Sequence, residues 1–400
     1  MPAIPPVLHD RTFRRFFAGQ LVSVCGTWMQ NVALGWLVLR LTGSGSALGT
    51  IAALQALPFA LGSPFGGLIA DRSNRRRLLL RVQLASAVLA AILAALTWSG
   101  VISYWMIGAL SVATGAVNAL EIPARQAFML EMVGRGQLRQ AIAINNVVAN
   151  SGRLIGPAVG GALVATVGMT PCFVLNALSF AAVLLALSRI RPGDLAPATP
   201  LARAGGQLRE GFAYAWRTIT IRRPLLAVAL VGATAWQFPV SLPLLARFTF
   251  HAGAAAYGAM AASLAVGAIL GGAHVASHRS AEVPRLRPPT LLFGIAVLAT
   301  ALAPSVAAAC ALLVITGILS VEFSATASTR IQLGSEPVMH GRVTSLYALG
   351  FTGTALVGGP LIGTIGQHAG PRAALALGGA ATVGVATLLL RRQSPVSSRT

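Results

Sequence analysis

Three charged residues interrupt long apolar stretches of this 400-residue chain, and they are the first candidates for chemistry. Arg153, Glu121 and Glu322 each lie in segments that carry little other charge. A charge kept away from water is costly, so each of them is expected to have a partner or a function. We expect Glu121 to pair with Arg153, and Glu322 occupies nearly the equivalent position in the second half of the chain. An alternative stays open, in which both glutamates pair with arginines at helix ends.

Sequence patterns for catalysis, metal binding or nucleotide binding are absent. The six histidines have no metal-ligand spacing, and the chain has no H-E-x-x-H, G-x-S-x-G or P-loop motif. The three cysteines, Cys25, Cys172 and Cys310, lie far apart in apolar stretches and are interpreted as small hydrophobic residues. We therefore expect no enzyme activity, no metal and no cofactor.

The composition is that of a membrane protein. Hydrophobic residues make up 55% of the chain and charged residues 10%, and the mean hydropathy is +0.74. A bilayer core takes about 20 apolar residues per helix, so this length accommodates roughly twelve spans. The net charge is +21, and all thirty basic residues are arginines. They lie between apolar runs and not along one helix face, which favours a role in membrane topology over nucleic-acid binding.

Apolar runs bounded by charge or by glycine and proline predict two sets of six membrane spans. The predicted spans are residues 17–40, 48–70, 78–98, 103–122, 140–166, 171–190, 224–247, 255–275, 289–304, 306–325, 343–366 and 372–390. If the N-terminus is cytoplasmic, only Arg40, Arg247 and Arg372 fall outside the cell among the loop arginines. Positively charged loops stay inside, so both termini are expected in the cytoplasm.

The predicted organisation is all-α, with two six-helix bundles and a linker. Residues 1–190 form the first bundle, residues 191–223 a cytoplasmic linker, and residues 224–400 the second bundle. Within the linker, residues 208–217 are predicted to form an interfacial amphipathic helix. Weak internal repeats pair Gln30 with Gln237 and Gly156-Pro157 with Gly359-Pro360. A parallel repeat of this kind suits two bundles that rock about a shared substrate site.

The loop after the second span carries the most specific motif. It reads Gly67-Leu68-Ile69-Ala70-Asp71-Arg72-Ser73-Asn74-Arg75-Arg76. It resembles the G-x-x-x-D-R-x-x-R-R signature of the major facilitator superfamily. The resemblance implies a gating latch, made by Gly67, Asp71, Arg72, Arg75 and Arg76, with Asp71 near the start of the eleventh span. In the second half His278 replaces the acid, so the latch is expected on one side only.

The fifth span carries a small-residue motif, Gly152-Arg153-Leu154-Ile155-Gly156-Pro157-Ala158-Val159-Gly160-Gly161. It resembles the G-x-x-x-G-P-x-x-G-G core associated with antiporters of that superfamily, although Ala143 replaces an upstream glycine. Gly152, Gly156, Gly160 and Gly161 would allow tight helix packing, and Pro157 would bend the helix. Generic tight packing without an antiport role remains an alternative.

Further segments are similar to the superfamily branch that contains the enterobactin exporter and related efflux permeases. The similarity extends from Phe13 to Leu390 and is clearest in Pro123–Val133, Leu175–Phe180 and Gly341–Tyr347. Departures are Glu322, where an apolar residue is more usual, and His278. The resemblance implies a bacterial inner-membrane protein that exports a small molecule.

Polar and aromatic residues in the first and seventh spans are candidates for a substrate cavity. Neutral hydrogen-bonding groups beside aromatic rings suit an amphipathic organic substrate. The candidates are Trp28, Gln30, Asn31, Gln55, Trp236 and Gln237. Each of them alone is explained equally well by packing between helices.

The sequence therefore predicts a secondary transporter that exports a small amphipathic compound, such as a drug, siderophore or other natural product, in exchange for protons. The expected partners are the substrate, protons and the lipid bilayer, without nucleic acid, and the expected state is a monomer. An importer of a small anionic or polar solute on the same fold is the first alternative. A non-transporting membrane receptor or enzyme is the second, and it lacks a visible catalytic cluster or large extramembrane domain.

Overall fold

The computed structural model describes residues 6–190, 207–277, 285–336 and 339–390. These ranges contain helices joined by short turns and, within them, no strand. Eleven of the helical segments are long and apolar enough to cross a membrane, and Arg287–Ala301 is a shorter apolar helix. The described part of the chain thus supplies the twelve spans predicted from hydropathy.

The first half of the chain forms five continuous helical elements that supply six spans. They are α1 (Arg11–Thr42), α2 (Gly45–Arg72), α3 (Arg75–Trp98), α4 (Tyr104–Thr166) and α5 (Thr170–Ser188). The backbone leaves helical geometry inside α4 at Gly134, which divides it into α4a (Tyr104–Gly134) and α4b (Gly136–Thr166).

The second half begins with a short helix and continues through six further spans. These elements are α6 (Gln207–Arg217), α7 (Ile219–Thr234), α8 (Phe238–Leu244), α9 (Ala254–Ser277), α10 (Arg287–Ala301), α11 (Val306–Leu333), α12 (His340–Thr352), α13 (Ala355–His368) and α14 (Pro371–Gly384). Five-residue π-helical segments, Leu245–Thr249 and Val385–Leu389, extend α8 and α14. The pairs α7/α8 and α12/α13 each make one interrupted span.

Packing divides the chain into two compact units. The first contains Met1–Thr42 and Leu54–Ala202, and the second contains Gly43–Ala53 and Arg203–Thr400. The start of α2 therefore belongs to the second unit, where the Gly45 amide donates a hydrogen bond to Gln367 Oε1 at 2.6 Å. The domain limits at 190 and 223 remain predictions, because part of the linker lies outside the described residues.

In the first unit, α1 packs on α4 and α5, and α3 packs on the same two elements. A buried cluster fills the end at which α1, α3 and α4b begin and α4a and α5 end. Its aromatic centre includes Phe16 and Phe128, whose ring centroids are 5.7 Å apart. Because Phe16 is on α1 and Phe128 on α4a, this contact fixes the two helices at that end.

In the second unit, α9 packs on α11, and α10 packs on α11 and α14. The α9–α11 contact is close because Gly267, Gly271 and Gly317 bring the two backbones together. Helix α6 packs on α7 and α12. Glu210 of α6 accepts a hydrogen bond from Arg342 Nη1 at 2.5 Å, and Tyr214 Oη accepts one from the Glu336 amide at 3.1 Å.

The loop predicted between the fourth and fifth spans was wrong. Residues 123–133 and 136–139 are helical, with the turn at Gly134 between them, and α4a continues through Pro123. The segment stays helical because Phe128, Met129 and Met132 are buried in the cluster at this end of the first unit. Arginines that looked like loop residues are therefore helix residues.

Gly134 makes the turn between α4a and α4b by itself. Its backbone angles are φ 66° and ψ 179°, a combination that is essentially restricted to glycine. A methyl group built on Gly134 meets no atom within 4 Å, so the restriction comes from the backbone and not from crowding. Gly136, two residues later, has equally open space without a positive φ.

We expect Gly134→Ala to destabilise the protein by about 1–3 kcal/mol, the usual cost of holding a non-glycine residue in this region. Thermal unfolding in detergent measures the effect as a lower melting temperature. Gly136→Ala is the matched control and should leave the melting temperature unchanged or slightly higher, since alanine favours helix. Equal melting temperatures for the two variants would refute the strained-turn interpretation.

Candidate functional site

The arginines of the predicted latch fasten the start of α3. Arg75 Nη1 donates to Glu131 Oε1 of α4a at 2.6 Å, and both side chains are largely buried. Arg76 donates to the carbonyl oxygens of Leu187 and Ser188, at the end of α5. The backbone of α2 extends to Arg72, but the side chains of Gly67, Asp71 and Arg72 lie outside the described residues. Asp71 as a latch thus remains a prediction.

The glycines of the fifth span pack α4b against α1. A methyl group on Gly156 would lie 2.5 Å from Trp28 Cβ and 2.7 Å from the Cys25 carbonyl oxygen. One on Gly160 would lie 2.9 Å from the Met29 carbonyl oxygen, and one on Gly152 would overlap Val24. Only glycine permits this approach.

The other two members of this motif are consistent with a packed helix. Pro157 and Gly161 are buried. The helix continues through Pro157 to Thr166, so proline does not end it. In a span, neighbouring groups can compensate for the hydrogen bond that proline removes.

We call the α1–α4b contact made by Gly152, Gly156 and Gly160 the seam. Arg153 lies beside the seam, and its side chain lies over the ring of Trp28. Its guanidinium carbon is 5.4 Å from the centre of the indole ring, a cation–π contact.

The expected partner Glu121 is bound elsewhere: its Oε1 accepts from Arg125 Nη1 at 3.2 Å, one turn along the same helix. The expected Arg153–Glu121 pair is therefore not formed. A neighbour at the i+4 position, inside the same helix, reaches the carboxylate first. The alternative is not met either, because Arg125 does not lie at a helix end and Glu322 faces His274.

Three other candidates, Gln30, Asn31 and Gln55, lie in the first unit. Gln30 Oε1 accepts a hydrogen bond from Asn176 Nδ2 of α5 at 2.8 Å, and Asn176 is buried. Asn31 is half-buried, and so is Gln55, whose carbonyl oxygen faces Gly115 of α4a. Trp28, Gln30 and Asn31 thus remain available as cavity residues, with Gln30 held in place by α5.

In the second unit, Trp236 and Gln237 occupy the break between α7 and α8. Trp236 contacts a group of rings from three helices, with Phe351 the nearest at 4.4 Å between centroids; the others are Phe293 and Phe323. Gln237 is 5% exposed, and its Nε2 donates to the Gly232 carbonyl oxygen at 2.7 Å. This hydrogen bond gives a partner to a backbone carbonyl group beside the break between α7 and α8. The contact of Gln237 that the structure shows is therefore a structural one, within its own span.

Glu322 of α11 faces His274 of α9. Glu322 Oε1 and His274 Nε2 are 3.7 Å apart, and the histidine side chain is 54% exposed against 25% for the glutamate. The pair lies one turn beyond the place where Gly271 approaches Ile318, so the close α9–α11 seam positions both side chains. Tyr347 of α12 lies nearby and donates from Oη to the Ser324 carbonyl oxygen at 3.2 Å.

Sequence reasoning gave no role to several residues that the structure brings into these sites. They are Glu131, Asn176, His274, Phe293, Phe323 and Phe351. One signal was available, because a chain with nine acids and thirty arginines uses each acid selectively. The other contacts depend on which helices are neighbours, which the sequence of one span does not encode.

Comparison with known proteins gives matches along almost the whole chain. A family model described as "Transmembrane secretion effector" matches residues 3–399. The multidrug efflux pump Tap of Mycolicibacterium fortuitum is 26% identical over 87% of this chain and 88% of its own length. The enterobactin exporter EntS of Shigella flexneri is 28% identical over 94% of this chain and 90% of its own.

A third relative and two solved structures complete this picture. The staphyloferrin A transporter of Staphylococcus aureus is 28% identical, and the match spans 64% of each chain, less than two thirds. A bacterial homologue of the human lysosomal transporter Spinster superimposes with a TM-score of 0.70 and 16% identity over 97% of this chain and 96% of its own. The nucleoside transporter NupG superimposes with a TM-score of 0.74 and 11% identity over 96% of this chain and 99% of its own. At these identities the two structures show a shared fold.

The Arg75–Glu131 hydrogen bond should stabilise the first unit, because it joins α3 to α4a. Glu131→Gln is expected to destabilise it by about 1.5–3 kcal/mol, the range for a hydrogen bond to a charged group. Glu121→Gln is the control, since Arg125 lies on the same helix and joins no second element. Thermal unfolding of both variants and of Arg75→Gln measures the difference. A Glu131→Gln protein as stable as Glu121→Gln would show that the bond contributes nothing.

Proposed function

Because the chain belongs to the transmembrane secretion effector family of the major facilitator superfamily, we propose that it exports a small amphipathic organic compound in exchange for protons. The family match confirms the resemblance found in the motifs, and the twelve-span fold in two six-helix bundles is that of the superfamily. The chain is a multi-pass membrane transporter and not an enzyme.

Export is the direction that the relatives support. Two of them, matched over most of this chain, are named as an efflux pump and an exporter. The candidate residues of the first unit fit such a substrate, because Trp28 offers aromatic surface and Gln30 and Asn31 offer neutral hydrogen-bonding groups. In the second unit, Trp236 offers aromatic surface of the same kind. Import of an anionic solute on the same fold is the competing proposal, and direction of flux separates the two.

The observation that carries proton exchange is the Glu322–His274 pair. A carboxyl group and an imidazole are chemical groups that can carry a proton, and the α9–α11 contact places one of each side by side. The nearest titratable group on α12 by sequence position is Tyr347, which bonds to the Ser324 carbonyl oxygen, and Arg330 lies further along α11 itself. Helix α9 and the elements packed against α9 and α11 also carry Tyr257, Arg222, Arg223, Arg287, His340 and Arg342. A carboxylate that gains a proton on one side of the membrane and loses it on the other can couple the gradient to conformational change.

The remaining parts of the proposal come from motifs and charge distribution. The latch residues Gly67, Asp71 and Arg72 would gate the transport cycle, with α3 anchored by Arg75 and Arg76. The protein would act as a monomer in a bacterial inner membrane. Both termini would lie in the cytoplasm, because its arginine-rich segments would then be on the cytoplasmic side.

Accumulation of fluorescent dyes and antibiotics in efflux-deficient bacteria tests the proposed function. Cells that express the protein should accumulate less of at least one compound, and a protonophore should abolish the difference. Proteoliposomes with an imposed pH gradient repeat the test with purified protein. Uptake that rises with expression would instead establish import.

We expect Glu322→Gln to lose at least about tenfold of gradient-driven export while retaining exchange of substrate between two equal pools. Glutamine keeps the shape of the side chain but cannot titrate, so only proton-dependent steps should fail. Glu336→Gln, an exposed acid that follows α11, is the control and should export normally. Export by Glu322→Gln at the wild-type rate, with unchanged protonophore sensitivity, would exclude this pair from coupling.

A further inference from the structure

Helix α4b has two exposed faces of different character. Val147, Ile155 and Val159 share an apolar face and are 64%, 45% and 43% exposed, as lipid contact would require. Asn146, Asn150 and Arg153, spaced by four and three residues, share another face. Asn146 and Arg153 are exposed and Asn150 is half-buried. A lipid-facing helix has no use for a second, polar stripe of this kind.

The charge of Arg153 lies deep within its span. It stands roughly a dozen residues before the end of the 31-residue helix α4b, about 20 Å along the axis at 1.5 Å per residue. The start of α4b is further away still, about 26 Å along the axis, so the arginine side chain reaches neither end of the helix.

Among the described side chains of the first unit, no acid pairs with Arg153. Helices α1, α4b and α5 contain no aspartate or glutamate. The two acids of α4a, Glu121 and Glu131, are bound to Arg125 and Arg75. Among the described residues Arg153 makes no hydrogen bond or ion pair, and its guanidinium lies over the ring of Trp28. A cation in a span that has no acidic partner among the described side chains of its own unit is a candidate for binding an anionic group of a substrate.

The position of the cation is held from both helices. The Gly152 and Gly156 contacts fix α4b against α1 on either side of Arg153. On α1, Gln30 is tied to Asn176 of α5, two residues beyond Trp28. The guanidinium, the indole and the two asparagine amides thus stand on supported helices, as a preorganised site requires.

We propose that Arg153, Asn150, Asn146 and Trp28 form a subsite for the carboxylate of an organic anion that carries an apolar ring system. Arg153 would donate two parallel hydrogen bonds to the carboxylate. The asparagine amides would donate to the same group, and the ring system would lie against Trp28. This inference rests on the proposed transport function and names its substrate class.

Equilibrium dialysis of purified protein in nanodiscs tests the subsite without any gradient. The probes are radiolabelled 2-naphthoate, its methyl ester and 2-naphthylmethylammonium, which share one ring system and differ in charge. Binding to protein-free nanodiscs is subtracted. The wild-type protein should bind the carboxylate at least about tenfold more tightly than the ester, and more tightly still than the ammonium ion.

Arg153→Gln should remove the preference for the carboxylate, and Arg153→Lys, which keeps the charge, should retain part of it. Asn150→Ala should weaken carboxylate binding several-fold. Arg139→Gln is the matched control, because it removes an exposed charge from the same helix. Gel filtration and thermal unfolding establish whether each variant is folded. If Arg153→Gln does not fold, the binding preference of Arg153→Lys provides the test.

Equal affinity for the three probes, no binding of 2-naphthoate at millimolar concentrations, or an unchanged preference in Arg153→Gln would each overturn the subsite. These outcomes are distinct from failure of the proposed function. A protein that binds the carboxylate through Arg153 but exports nothing in cells or proteoliposomes would retain the subsite and refute export.

Discussion

Close approach of helix backbones at glycine is the constraint on which both units depend. In lipid, an apolar side chain gains little free energy by moving from contact with lipid tails to contact with another helix. Helices therefore associate through dense packing. The contacts of Gly156 with α1, and of Gly267 and Gly317 between α9 and α11, provide it. A helix that packs with its glycines presents its larger residues to either side. Arg153 and Glu322 are both placed in this way, next to a seam that holds them.

The contacts of the charged side chains reflect the small number of acids in the chain. Asp10 accepts hydrogen bonds from the amides of Thr12 and Phe13 at the start of α1. Glu131 joins two helices through Arg75, and Glu210 joins α6 to Arg342 of α12. With nine acids among thirty arginines, most cations must rely on water, headgroups, carbonyl oxygens or rings. Glu131 and Glu210 join different elements, whereas Asp10 and Glu121 bond to their own helix, and none of these acids pairs with Arg153.

Hydropathy and arginine placement predicted the twelve spans, because each span carries its own apolar signal of about 20 residues. The helical segment up to Gly134 could not be predicted from that signal, since its helicity depends on burial of Phe128 and Met132 against other helices. The partners of the candidate residues were harder still. Glu121 had two arginines within reach on different helices, and only the three-dimensional arrangement decides between them. The glycine motif of α4b was readable, but its packing partner α1 was not.

The single-residue turn at Gly134 has a consequence for how this region can change over evolutionary time. An α-helix turns about 100° per residue, so one residue added or lost between Gly134 and Gly152 would rotate the rest of α4b by that angle. The three seam glycines would then leave α1, and Arg153 would leave Trp28. No flexible loop is present between α4a and α4b to absorb the change. Substitutions can accumulate along this hairpin, whereas its length is expected to be constant among proteins that share the site.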